Sequence, residues 1–482
     1  RVRGAARMAD IEWEIGLKPN TPVPVRDVAS RATAILKHSP PIGSTPRFEF
    51  EKDAMLANCV HVARATVRGG AAPWTPTAAA TAARKPRVSA SPSDTAADGA
   101  SNVRVFVHAL YDDEVTEEYT DGMGASEEDS VAWQQTTLPA LALDGHWESL
   151  LFESSVKERL LSYARSALAF ASASVDTNLV SCHRLLLLHG PPGTGKTSLC
   201  RALAHKLTCR TAERFPTGHL IELNAHSLFS KWFSESGKLV GAVFAKVREL
   251  VDDRETFVSV LIDEVESLVA SRAAALNGTE PSDAVRVVNA VLTQLDSLKN
   301  CPNVLVLATS NITQALDAAF SDRADLTLYI GLPDQRARYQ ILATCIGELG
   351  RAGVLAEHAP AAMYDELNVL VPAGGLDLQG IQRLTAGARG SAMDTAASEA
   401  EQAAFRLSLM LYMLAQATHG WSGRSLRRLP LLAHAEAGGE GRVAYAQFLL
   451  AMHSAVMARD AEGSRLEAER GGARPRTGDS QE

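Results

Sequence analysis

The sequence predicts an α/β protein in three parts: a small α+β domain, a larger domain built on a parallel sheet, and a smaller helical domain. Three observations predict this fold class. Apolar and polar residues alternate in two segments near the N-terminus, strand-length apolar runs alternate with helical stretches in the middle, and one-sided apolar stripes of helical period follow Pro333. The chain has 482 residues, 46% of them hydrophobic, so it is long enough for several domains with buried cores.

Composition excludes several classes of protein. The 48 Lys and Arg residues against 56 Asp and Glu residues give a net charge of −8, so clamping of DNA by bulk positive charge is a poor hypothesis. The apolar runs are shorter than the ~18 residues that a membrane span needs. No CxxC pair occurs, which predicts a reduced, intracellular protein with free thiols. The six cysteines are Cys59, Cys182, Cys200, Cys209, Cys301 and Cys345.

The first domain is predicted over residues 1–121. Alternation over 11–17 and again over 103–109 predicts two strands, and residues 28–36 predict a short helix. Residues 68–101 are rich in Ala, Pro, Ser, Thr and Gly, which indicates a flexible insertion. An acidic run follows over residues 112–129, and it is either a solvated linker or a hinge. The hinge is predicted over 122–137.

The larger domain is predicted over residues 138–333. Its apolar runs are typical of parallel strands covered on both faces, and they lie at 184–189, 219–224, 257–262, 303–310 and 326–330. Helical stripes predict the smaller domain over 334–462. The charged, Gly-rich end of the chain, 463–482, is predicted to be disordered.

A glycine-rich loop joins the first of these strands to a helix. Residues 190–197 fit the pattern G-x-x-x-x-G-K-[ST] in the required order of strand, loop and helix. Glycine lets backbone N–H groups curl round phosphates, and the helix N-terminus adds partial positive charge. Lys196 is expected to reach the β- and γ-phosphates, and Thr197 to ligate Mg²⁺. The predicted ATP-binding residues are Gly190, Pro191, Pro192, Gly193, Thr194, Gly195, Lys196, Thr197 and Ser198.

Polar residues also follow the predicted strands at 257–262 and 303–310. Asp263 is expected to bind Mg²⁺, and Glu264, which points elsewhere, to orient and deprotonate the attacking water. An ordinary helix N-cap is the alternative for Asp263, but the phosphate loop upstream favours catalysis. Asn311 can hydrogen-bond either the γ-phosphate or the water, although an Asn after a strand by itself indicates only a turn.

In this order, the phosphate loop, the acidic pair at 263–264 and residues 309–311 resemble an AAA+ ATPase. Longer segments resemble the pachytene checkpoint protein 2 family, namely residues 227–240, 261–268, 280–294, 320–325 and 422–430. The resemblance implies an AAA+ module: a P-loop NTPase domain with a parallel sheet and a helical small domain, preceded by an α+β domain that recognises a substrate or adaptor.

The resemblance also implies a function. It is that of a homohexameric ATP hydrolase that uses ATP and Mg²⁺ to convert HORMA-domain proteins from a closed to an open state, by engaging their N-terminal segment in a central pore. Implied partners are the spindle-checkpoint HORMA protein, presented by a comet-type HORMA adaptor, and the HORMA proteins of the meiotic chromosome axis. Implied roles are checkpoint silencing and control of meiotic recombination, in the nucleus at chromosomes and in the cytoplasm, with no sequence-specific nucleic acid and no membrane.

Further residues take roles from the same resemblance. Arg323 corresponds to the arginine finger that reaches the γ-phosphate held by a neighbouring subunit, and Arg424 to the second sensor in the helical domain, with Arg427 assisting. Trp421 stands where a smaller aliphatic residue is expected, which puts the start of the helix at Arg424 in doubt. Lys231, Trp232 and Phe233 correspond to a pore loop, and 272–283 to a second one.

The aromatic pair of the pore loop has a structural alternative, since Trp and Phe on an amphipathic helix usually belong to a core. The polar residues on either side favour exposure, and aromatic rings grip a peptide without regard to its sequence. Two other functions remain open at this point. One is an AAA+ machine that acts on nucleic acid, which the net negative charge and the aromatic pore disfavour. The other is a nucleotide-binding scaffold without turnover, which the filled catalytic positions disfavour.

Overall fold

The computed structural model describes the chain in segments, and no helix within them is both long and apolar enough to cross a bilayer. The segments are residues 10–38, 50–68, 103–113, 115–119, 131–176, 179–225, 236–267, 283–312, 318–356, 361–371, 379, 381, 399–438 and 441–472. All six cysteines lie in these segments and are free thiols, as predicted.

The N-terminal domain is a three-stranded sheet with two helices. Strand β1 is central, antiparallel to β2 and parallel to β3. Both predicted strands are confirmed, whereas β2 was not predicted; residues 69–101 of the predicted insertion lie outside the described residues. The odd-numbered apolar residues of β1, such as Ile15, pack with Val28 and Leu56 of the two helices. The elements are β1 (Asp10–Leu17), α1 (Val25–His38), α2 (Ala54–Cys59), β2 (Val60–Arg68) and β3 (Val103–Ala109).

The large domain contains a seven-stranded sheet in the order β10-β6-β9-β8-β7-β5-β4. Its five central and edge strands from β10 to β7 run parallel, which confirms the five predicted runs. The side chains of β6, β8 and β9 are buried on both faces because helices cover both sides of the sheet, whereas the edge strand β10 is partly exposed. The strands are β4 (Thr116–Tyr119), β5 (Val131–Leu138), β6 (Leu185–His189), β7 (Thr217–Asn224), β8 (Thr256–Asp263), β9 (Val304–Ser310) and β10 (Leu326–Tyr329).

The prediction of a hinge over 122–137 was wrong for its second half. Residues 131–137 belong to β5, which pairs antiparallel with β7, and 116–119, assigned by sequence to the first domain, pair with β5 as β4. Trp133 is buried in the core of the large domain. The polar residues of β5 concealed this strand, because an edge hairpin needs only one apolar face. Residues 120–130 lie outside the described residues.

Helices pack on the two faces of the large sheet in separate groups. Helices α4 and α5 cover one face, and α6 and α7 cover the other. The helices of this domain are α3 (His146–Ser149), α4 (Ser154–Ser172), α5 (Lys196–Thr211), α6 (Ser236–Asp252), α7 (Asp283–Leu298) and α8 (Ala318–Ser321). The phosphate loop is the connection from β6 to α5, at the carboxyl edge of the parallel strands, where ligands of open α/β sheets bind.

The C-terminal domain is helical, as predicted, with its own core of residues from all five helices described. Its helices are α9 (Gln335–Arg351), α10 (Tyr364–Leu370), α11 (Glu399–Ala417), α12 (Gly423–Glu436) and α13 (Tyr445–Gly472). The prediction of disorder from residue 463 was wrong as far as 472, because α13 continues to that residue. Residues 465–470 are mostly strong helix formers, and extending a helix that already exists is easier than nucleating one.

A buried ion cluster joins the N-terminal domain to α5. Glu12 and Glu14, on the even-numbered face of β1, meet Lys206 and Arg210, one helical turn apart on α5. Arg210 lies 2.7 Å from Glu14 and 3.0 Å from Glu12, and Lys206 contacts Glu14 and lies 2.6 Å from Glu148. None of the four side chains on β1 and α5 is more than 8% exposed. The N-terminal domain is therefore held against the helix that begins at the phosphate loop.

Candidate nucleotide site

The phosphate loop has a backbone that only glycine can supply at its tightest points. Gly190, Gly193 and Gly195 have φ of 145°, 76° and 94°. A Cβ on Gly190 would lie 2.2 Å from the carbonyl oxygen of Ile330, the residue that follows β10. The glycines thus allow the loop to pass against neighbouring backbone.

Lys196, the first residue of α5, turns back over this loop. Its Nζ donates to the carbonyl oxygens of Gly190 and Pro191, at 2.8 and 2.9 Å, and to Oδ1 of Asn311 at 2.8 Å. Burial lowers the pKa of Lys196, and nearby carboxylates partly offset that effect. The ammonium therefore lies against the phosphate loop, and its contact with nucleotide phosphates stays a prediction.

Thr197 and Asp263 meet across the gap between α5 and β8. The Thr197 hydroxyl donates to Oδ1 of Asp263 at 2.8 Å, and the hydroxyl of Thr309 on β9 donates to the same oxygen. This arrangement brings a hydroxyl and a carboxylate oxygen together, and Mg²⁺ prefers such hard oxygen ligands. The residues present fit a magnesium ion beside the phosphates, and they are the two predicted for it.

Glu264 points away from Asp263 because the chain turns sharply between them. Its φ is 60°, a left-handed conformation that is uncommon for a residue with a side chain. The turn is held by β9: the Glu264 N–H donates to the Thr309 hydroxyl at 3.3 Å, and the Val265 N–H to the Thr309 carbonyl at 2.9 Å. The Glu264 side chain is exposed at the carboxyl edge of the sheet, where a base for the attacking water is required. Strain of this kind is found at functional sites.

Asn311, just beyond β9, links Lys196 to Glu266, and the sequence predicted only two of these three residues. Its Oδ1 accepts from Lys196, and its Nδ2 donates to Oε1 of Glu266 at 2.7 Å. Glu266 was not predicted as a site residue. The available signal was a third acid, three positions after Asp263, but a spacing of three residues does not show that a side chain turns inward.

The helical domain reaches the phosphate loop through the start of α12. The N–H of Arg424 donates to the carbonyl of Gly193 at 3.1 Å, and a Cβ on Gly193 would lie 2.9 Å from the Ser422 hydroxyl. Ser422 caps α12 by accepting from the Ser425 N–H at 3.3 Å. Trp421 is buried in the helical core, with the Arg459 guanidinium 4.1 Å from its ring centroid. The larger residue is thus accommodated without loss of the helix entry.

A cavity of about 610 Å³ lies between the large and helical domains and borders the loop. Its size is that of a site for a nucleotide-sized ligand, and it combines apolar with a few charged side chains. Tyr329 is half-exposed in it and packs its ring 5.5 Å from that of His189. Residues lining the cavity include Phe152, Thr194, Tyr329, Ile330, Asp334 and Arg424.

The remaining predicted residues lie elsewhere or outside the described segments. Arg323 forms a two-pronged ion pair with Asp296 of α7, at 2.9 and 2.8 Å, with 28% of its side chain exposed. The bond to Arg323 lowers the pKa of Asp296. The predicted pore residues 231–233, and residues 272–282 of the predicted second pore loop, lie outside the described residues.

Two families match the two domains that form this site. Residues 186–332 match the family described as "ATPase family associated with various cellular activities (AAA)". Residues 334–460 match "TRIP13-like, AAA+ ATPase lid C-terminal domain". Together with the phosphate loop, the acidic strand end and the lid contact, these matches define the protein as an AAA+ ATPase.

Relatives narrow this class. Pachytene checkpoint protein 2 homolog of Oryza sativa subsp. indica is 51% identical over 318 residues, 65% of this chain and 64% of that protein. The homolog of Xenopus tropicalis is 47% identical over 329 residues, 68% of this chain and 70% of that protein. The solved structure of C. elegans PCH-2 is 28% identical, with a TM-score of 0.63, and the match covers 94% of this chain and 99% of that one. The chain belongs to the pachytene checkpoint protein 2 family.

The match to the rice protein thus spans slightly less than two thirds of that relative's length. The predicted resemblance and fold class are confirmed.

Proposed function

We propose that the chain assembles into a homohexameric ring that hydrolyses ATP to convert HORMA-domain proteins from a closed to an open state. The ring engages the N-terminal segment of the HORMA protein in its central pore, and a comet-type HORMA adaptor presents the spindle-checkpoint substrate. Meiotic chromosome-axis HORMA proteins are the second substrate group. The cellular roles are silencing of the spindle checkpoint and control of meiotic recombination, in the nucleus and the cytoplasm.

One observation carries this proposal beyond family membership: α5 links the nucleotide to the recognition domain. The helix begins with Lys196 at the phosphate loop, and its far half carries Lys206 and Arg210, which hold the N-terminal domain through buried ion pairs. A rigid helix therefore fixes the N-terminal domain relative to the site of hydrolysis. A protein recognised by that domain is presented to the ring at a set position, which a remodelling enzyme requires.

The chemistry proposed for the site uses the side chains described above. Glu264 takes a proton from the water that attacks the γ-phosphorus, and Lys196 neutralises charge on the phosphates. Mg²⁺, held by Thr197 and Asp263, would supply further neutralisation of the phosphate charge. The contact of Arg424 with the phosphate loop supports its role in reporting the nucleotide state to the helical domain.

Arg323 is proposed to act on the nucleotide of a neighbouring subunit. Its partner Asp296 is 46% exposed, so the pair is a surface ion pair, and such pairs contribute only about 0–1 kcal/mol. Exchange of Asp296 for a phosphate therefore meets little resistance. A guanidinium supplied in trans makes hydrolysis depend on ring assembly, and in other phosphoryl-transfer systems it is worth roughly 10³–10⁵ in rate.

The direct test is release of a labelled peptide from a closed HORMA–peptide complex by the purified protein and ATP. Glu264→Gln keeps the shape of the side chain but removes the base, so we expect ATP and the HORMA protein to stay bound while peptide release falls by about 10²-fold or more. Release by this variant at the wild-type rate would remove Glu264 from the chemistry.

The contribution of the pore is tested with Trp232→Ala. Loss of the indole side chain should abolish the hold on the substrate peptide but leave ATP hydrolysis intact. Phe170→Ala is the matched control, since Phe170 is an aromatic residue on α4 that is 47% exposed and does not line the nucleotide cavity. Peptide release that is equal for both variants would contradict threading. Stimulation of the ATPase by DNA, but not by a HORMA protein, would instead support a machine that acts on nucleic acid.

A further inference from the structure

The amide of Asn311 lies between two groups of opposite charge. Its Oδ1 is 2.8 Å from the ammonium of Lys196, and its Nδ2 is 2.7 Å from Oε1 of Glu266. An ammonium can only donate hydrogen bonds and an ionised carboxylate can only accept them. If the amide were rotated by half a turn, its NH₂ would face the ammonium and its oxygen the carboxylate. The two charges therefore permit one orientation of this amide.

Glu266 is held in place for this contact. The turn that carries it is tied to β9 through Val265, and the Ser267 N–H donates to the Glu264 carbonyl at 3.0 Å. The second oxygen of the carboxylate, Oε2, is buried and has no donor among the residues that the structure describes. A buried carboxylate needs hydrogen bonds to offset its lost hydration. Within the described chain the Asn311 amide supplies that bond.

We propose that Glu266 is a positioning residue for ATP hydrolysis, which holds the Asn311 amide so that its oxygen, not its NH₂, faces the nucleotide. Lys196 has three donor hydrogens, now shared between two loop carbonyls and this oxygen. Phosphate oxygens are stronger acceptors than an amide, so a bound nucleotide draws the ammonium toward itself. The oxygen of Asn311 is then free to accept a hydrogen bond from the attacking water. Asn311 orients water and does not donate to the γ-phosphate.

The test exchanges the two side chains without changing their net charge. In Asn311→Asp alone, two carboxylates face each other, and we expect kcat to fall by roughly 100-fold. In Glu266→Gln alone, the amide introduced at position 266 can pair with Asn311 in either orientation, and we expect kcat to fall by roughly 10-fold with the KM for ATP nearly unchanged. In the double variant, the amide at position 266 donates to one oxygen of the carboxylate at position 311, and the other oxygen of that carboxylate still faces the water.

The double variant therefore distinguishes the two roles of Asn311. If residue 311 must accept a hydrogen bond from water, the kcat of the double variant is at least tenfold higher than that of Asn311→Asp. If residue 311 must donate to the γ-phosphate, the double variant stays as slow as Asn311→Asp, and the proposal is overturned. ADP affinity and the thermal midpoint are measured for each protein. Should the double variant fail to fold, Glu266→Gln decides alone, because a wild-type kcat in that protein overturns the proposal.

Discussion

Removal of one carboxylate from the ion cluster on α5 should loosen the N-terminal domain. Burial opposes ionisation of Glu14, but Lys206 and Arg210 outweigh it and lower the pKa of Glu14 to about 2, from 4.5. Such a difference between folded and unfolded chains corresponds to about 3 kcal/mol of stability at neutral pH. Breaking a buried pair by removing one partner costs ~3–5 kcal/mol in other proteins, in agreement. We expect a loss of this size in Glu14→Ala.

The assay is urea unfolding at pH 7.5, with amide hydrogen exchange over β1 and β3 to locate the loss. Glu348→Ala is the control, because it breaks an ion pair with Arg351 in which both side chains are at least 60% exposed. We expect its unfolding midpoint to match that of the wild type. A Glu14→Ala protein with wild-type exchange in β1 would refute the inference that the cluster holds the domain.

Ionisable groups in and near this cluster make the stability of the fold depend on pH. The contribution of Glu14 is present above its unfolded pKa of 4.5 and is lost as the pH falls toward its folded pKa of about 2. Burial lowers the pKa of His108 and His205 to about 4, from 6.5, so their contributions are lost in the earlier window from pH 6.5 to about 4. We therefore expect the wild type to lose stability from just below pH 6.5. The difference between wild type and Glu14→Ala should shrink only below about pH 4.5.

Two further predictions concern the large domain. Gly190→Ala should abolish ATP binding, since its Cβ would lie 2.2 Å from a backbone oxygen. Gly241→Ala is the control, because a Cβ there meets nothing within 4 Å, and this variant should bind ATP as the wild type does. Equal ATP affinities of the two variants would contradict the packing argument. Arg184→Met should lower stability by roughly 2–4 kcal/mol, because the buried Arg184 side chain donates to four backbone carbonyls, and an unchanged thermal midpoint would show that water replaces it.

The nucleotide site was predictable because its parts are local in sequence. The phosphate loop needs glycines at fixed spacing between a strand and a helix, and Asp263 and Asn311 follow apolar strands whose carboxyl ends meet at one edge of a parallel sheet. The side chains of β5 gave a weaker signal, because a strand of an antiparallel pair near the sheet edge needs only one apolar face, and its pairing depends on β7, about eighty residues further along. The hinge prediction failed for that reason.

The sequence by itself determined the class of fold, the phosphate loop, the two acids at the end of β8 and the family, because each depends on residues that are neighbours in the chain. Tertiary structure alone decided what the polar residues of β1 and Glu266 do. Alternation shows that Glu12 and Glu14 share a face, and spacing shows that Glu266 follows the catalytic acids. Neither pattern shows whether a cation on α5 or an amide beyond β9 lies opposite these carboxylates. The partner that offsets the burial of each carboxylate comes from a distant part of the chain.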